Sequence, residues 1–77
     1  MIKEAGPLDL AKEHVAAAEA AVGTQRRVVE VLKARGEDAT DAEVHLSELI
    51  QELEEAQGRL QTIEAQAASA ILEKPKD

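Results

Sequence analysis

Seventy-seven residues with a net charge of −7 make one small domain, and a chain this short buries little core alone. It has no Cys, Phe, Tyr or Trp, which excludes disulfides, a Cys-based zinc site and aromatic stacking platforms. The acidic balance without a basic stripe argues against nucleic acid and anionic membranes as partners. No apolar run approaches the length of a membrane span or of a signal peptide's core, so the cytoplasm is the expected compartment.

The first six residues carry no pattern, and an N-terminal tail over 1–6 is expected. Pro7 suits the first turn of a helix, where a missing N–H is harmless; Asp9 is an alternative start. The first helix is expected over about 8–35. It follows a seven-residue repeat, lettered a to g. Leu8, Val15, Val22 and Val29 take a, and Ala11, Ala18, Gln25 and Leu32 take d. Alternating steps of three and four are the spacing of a coiled-coil seam. Gly23 is a soft spot in the helix interior. Gln25 is the polar exception in the seam, and such a residue can fix register and oligomeric state.

The turn is expected over 36–39. Gly36 follows the basic end Lys33-Ala34-Arg35, as a glycine closing a helix C-terminus does. Thr40-Asp41-Ala42-Glu43 fits a capping box, in which the Thr40 hydroxyl takes the Glu43 amide and Glu43 reaches back to Thr40. The stretch lacks the run of oxygen ligands that a calcium loop requires. So short a connection makes the helices antiparallel neighbours.

The second helix is expected over about 40–72, with a tail over 73–77. Leu46, Leu53, Leu60 and Ala67 take a; Ala42, Leu49, Ala56, Ile63 and Ala70 take d. Gly58 is a second soft spot, and Lys74-Pro75 marks the stop. Asp41, Glu43, Glu48, Glu52, Glu54, Glu55 and Glu64 stand against Arg59 alone. The basic end of the first helix thus lies beside the acidic start of the second.

The fold class is all-α: an antiparallel, coiled-coil-like two-helix hairpin. The apolar stripe is wider than one seam. Leu10, Ala17, Ala21, Val28 and Val31 extend it in the first helix, and Ile50 and Ile71 in the second. Leaving large apolar side chains in water forgoes ~1.5–3 kcal/mol for each one fully buried. Two hairpins packed as a four-helix bundle would cover them, with a two-fold axis as the simplest operator. Those seven residues are the expected interface of a homodimer. Another protein is a possible second partner, and no cofactor is expected.

His14 and His45, both at g, are the side chains that ordinarily titrate near neutral pH. Pairing about residue 38 would separate them by ~25 Å along the axis, at 1.5 Å per residue, too far to share a metal. Ala11 and Ala42 stand three residues before them, where a di-iron bundle places Glu. His45-Leu46-Ser47-Glu48-Leu49 is similar to the phosphoacceptor region of histidine-kinase dimerisation domains, although no Arg-x-Pro follows it. A phosphotransfer bundle using His14 or His45, and a metal-binding bundle, are the alternatives to an interaction module. Ser47 and Ser69 have no strand-turn-helix or Gly-rich context, Glu54-Glu55 reads as a solvated face, and no enzyme is expected.

The pattern His14-Val15, Glu19, Val22, Gln25, Val28-Val29, Leu32, Gly36, Asp38, Ala42, Leu46, Leu49, Leu53, Arg59-Leu60 resembles a group of short bacterial helical proteins. They are chiefly proteobacterial, with a Leu-x3-Gly-x-Asp turn and a Leu-rich second helix. The resemblance spans about Asp9 to Ile63 and departs at Glu37 and Ala39. It implies a bacterial cytoplasmic protein and brings no activity with it.

Overall fold

A computed structural model describes the backbone of residues 6–72 and the side chains of residues 6–69. Two helices, α1 (Pro7–Ala34) and α2 (Thr40–Leu72), form an all-α hairpin, and among the described residues there is no strand. The expectations for Met1–Ala5, Lys74 and Pro75 lie outside the described residues, as do the side chains of Ala70 and Ile71.

Pro7 occupies the first position of α1, and the extended residue before it, Gly6, accepts the Leu10 amide at 3.0 Å. At the other end Gly36 takes φ +73°. Its N–H reaches the Lys33 carbonyl at 3.0 Å, and the Glu37 N–H reaches the Leu32 carbonyl at 2.9 Å. This pair of bonds satisfies carbonyls that the end of a helix leaves open, and it needs a residue at ease in the left-handed region.

The start of α2 differs from the expected capping box. The Glu43 amide donates to the Ala39 carbonyl at 2.8 Å, so Thr40 is already inside the helix. Asp38 does the capping: its Oδ1 accepts the Thr40 N–H at 2.9 Å and the Thr40 hydroxyl at 2.6 Å. A carboxylate two residues ahead is a stronger acceptor than a hydroxyl, and Asp favours this local turn. Glu43 turns away to meet Lys33 Nζ at 2.8 Å on the facing helix.

The seam follows the heptads. Val22, Val29, Ala39 and Ala56 are buried; Leu8, Ala11, Val15, Ala18, Leu46, Leu49, Leu53, Leu60 and Ile63 are part-buried. Gln25 Nε2 donates to the Ala42 carbonyl at 3.0 Å and Lys33 Nζ meets Glu43 at 2.8 Å; together the two contacts place the register between level pairing of 25 with 42 and of 33 with 43. In that range the heptads interlock with a opposite d: Val15 lies beside Ala56, Val22 beside Leu49, and Val29 beside Ala42. The intervening layers set Ala18 with Leu53, Gln25 with Leu46, and Leu32 with Ala39. All four buried residues fall in these layers.

That register shifts the expected symmetry about residue 38 toward α1. The centre of pairing lies between Arg35 and Gly36, so α2 starts level with about Val31 and continues ~12 Å past Pro7, at 1.5 Å per residue. The molecule measures 68 × 28 × 13 Å. Its smallest dimension is that of a single layer of helices.

An added Cβ at Gly23 or Gly58 would meet nothing within 4 Å, and neither has positive φ. Gly23→Ala and Gly58→Ala should each stabilise the hairpin by about 0.8–1 kcal/mol, whereas Gly36→Ala should cost about 1–2 kcal/mol. Helicity melts followed by circular dichroism read all three, and equal melting temperatures would contradict this assignment. Asp38 gives a second prediction. The Thr40 hydroxyl first, and the Thr40 N–H second, hold its carboxyl below the ordinary range. The associated stability is complete above the unfolded-state value and is lost as pH falls through the folded one. On acidification through the Asp range the wild type should therefore lose more stability than Asp38→Asn; parallel losses in urea melts would contradict it.

Candidate interaction surface

Among the described residues no polar or charged side chain is buried, and no three His, Cys, Asp or Glu side chains group closely enough to hold a metal. No described helix is long and apolar enough to cross a membrane. The features that stand out are therefore on the surface.

The Lys33–Glu43 ion pair joins an e position of α1 to an e position of α2. Like flanks face like across this antiparallel seam, so the e positions of both helices share one face of the hairpin and the g positions share the other. His14 and His45, both at g and both exposed, lie on the same face. The register sets them about 18 Å apart along the axis, nearer than the expected ~25 Å. His45 Nδ1 stands 3.6 Å from Glu48 Oε1, one turn along the same helix.

The predicted interface residues divide between the two faces. Leu10 is 56% exposed, Val31 47% and Val28 40%; Ala17 is exposed and Ala21 part-buried. All five lie at the c and g positions of α1 and form one strip along it. Ile50 is part-buried at an e position of α2, on the opposite face. Ile71 lies outside the side chains described. On the g face α2 contributes His45, Glu52, Arg59 and Gln66, all exposed and polar. The apolar strip thus belongs to α1, while α2 presents an acidic outer surface.

The strip deepens toward the turn into an open depression lined by Thr24, Arg27, Val28, Val31, Leu32 and Arg35. Every lining residue comes from α1. The depression lies on the c and g side of α1, beside the seam with α2 rather than in it. Sequence reasoning did not single out the depression. It also passed over Val44, 54% exposed at an outer position of α2. Val44 stands apart from the strip, and a single apolar side chain on a surface is ordinary.

Gln25 is the polar group that the seam does take in. It is part-buried, and its amide spans the seam. No protein-family model, curated protein or solved structure matches the chain.

Replacing Gln25 separates its contribution to stability from its contribution to register. Gln25→Ala should lose about 0.5–1.5 kcal/mol, the net worth of one intramolecular hydrogen bond. Gln25→Leu should keep or raise the melting temperature while the amide resonances around Ala42 broaden or double. A single sharp set of resonances at unchanged positions in Gln25→Leu would show that the bond does not hold the register.

Proposed function

We propose that the chain is a non-enzymatic structural and protein-interaction module of a bacterial cytoplasm. It acts as a homodimer of hairpins packed into a four-helix bundle, with the acidic surface of α2 left free for a protein partner. The observation that carries this reading is the apolar strip of α1, in which Leu10, Val28 and Val31 stand in water. Such a strip has no use in an isolated hairpin, where it forgoes burial that a second layer of helices provides.

The accessible area points the same way. The chain exposes 6276 Å², where a compact monomer of 8.3 kDa would expose about 4,600 Å². The excess is larger than the ~800 Å² that each partner contributes to a specific interface. The acids Glu48, Glu52, Glu54, Glu55 and Glu64 are exposed, and they suit a partner with a basic surface.

Sedimentation equilibrium at micromolar concentration tests the proposal. A mass twice that of the chain supports it. A monomer of full helicity contradicts it.

A further inference from the structure

We propose that α1 carries a second coiled-coil seam, made by its c and g positions, and that this seam receives the same seam of a second copy in antiparallel order. The proposal rests on the homodimer reading above and specifies the surface that forms it.

The spacing is the first ground. From Leu10 to Val31 the c and g positions recur at alternating steps of four and three, the spacing that sets knobs into holes. The axis of this seam lies a little over a quarter of the way round the helix from the one facing α2, so a helix on it does not compete with α2. The depression is the second ground. Thr24, Arg27, Val28 and Val31 are spaced as i, i+3, i+4 and i+7, which is the four-residue hole that a knob enters. The next hole along reuses Val28 and Val31 with Leu32 and Arg35.

The seam is self-complementary. Set antiparallel to itself, Leu10 comes level with Val31 of the copy and Ala17 with Thr24. Ala21 meets Ala21 at the two-fold axis, where small side chains allow a close approach. The exposed knob, Leu10, thereby reaches the end of the strip that holds the depression. Charge agrees with this order. Glu13 and Arg27, both exposed at f positions beside the seam, come within one residue of level across the axis. They can form two symmetric Glu13–Arg27 pairs. A parallel copy would instead set Glu13 against Glu13 and Arg27 against Arg27.

A single-cysteine experiment on the full chain tests the seam, since the protein has no cysteine of its own. Ala21→Cys should form an intermolecular disulfide on mild oxidation, because a two-fold at this position brings the Cα atoms toward bridging distance. Ile50→Cys, on the opposite face, should not. Reversing one charge, by Glu13→Arg or Arg27→Glu, should weaken the dimer about tenfold. The double reversal, or an equimolar mixture of the two single variants, should restore it. A dimer that crosslinks through Ile50→Cys but not Ala21→Cys, or that ignores the charge reversals, overturns this seam while leaving the homodimer standing. A monomer at the same concentration overturns both and leaves the strip to a helix of another protein.

Discussion

Where α2 begins alongside α1 determines most of what this molecule presents to its surroundings. The Gln25–Ala42 hydrogen bond and the Lys33–Glu43 pair mark that level, and the turn leads into it. Gly36 closes α1, Glu37, Asp38 and Ala39 connect it to α2, and Asp38 caps the new helix. The result is a hairpin whose helices overlap without being flush. Ala39 is buried for the same reason: it continues the a positions of α2 backward by one heptad and completes the layer around Leu32.

The two helices divide the work. α1 is apolar on two adjoining faces and carries little net charge; α2 is apolar on one face and acidic elsewhere. A helix with two apolar faces calls for two neighbours, and the hairpin supplies one. The charged e positions of α1, among them Lys33, keep the opposite face polar. Any association by burial is thereby directed to one side of the molecule, and α2 stays on the outside with its carboxylates solvated. Side chains at the level of Ala11, Ala18 and Ala56 keep the internal seam thin, consistent with a structure one helix deep.

Much of the fold was legible in the sequence. Every a and d residue assigned from spacing between Leu8 and Ile63 is buried or part-buried, joined by Ala21, Ala39 and Ile50, and both helices end within a residue or so of the expected places. Periodicity carries that information because burial selects one face of each helix. Periodicity does not carry register: moving one helix by a heptad along the other preserves every letter, so only the path of Glu37, Asp38 and Ala39 decides the level. The capping box at Thr40 was outcompeted by a nearby carboxylate, since two local acceptors offered different starts to one helix. The apolar flank was read as one surface because Val28 and Ile50 each border a seam. Antiparallel pairing sets g beside g and e beside e, so the two belong to different faces, and their separation follows once the Lys33–Glu43 pair is known.

The most direct measurement of the central claim is an electron spin–spin distance within one chain, diluted in unlabelled protein so that only intramolecular pairs are read. Labels on the exposed sites of Glu13 and Gln57 lie nearly level in the register set by the Gln25–Ala42 and Lys33–Glu43 contacts, whereas labels on Glu13 and Glu64 are offset by about 9 Å along the axis. The shorter distance should belong to the Glu13–Gln57 pair. A shorter distance for Glu13–Glu64 would place α2 flush with the end of α1 and contradict this register.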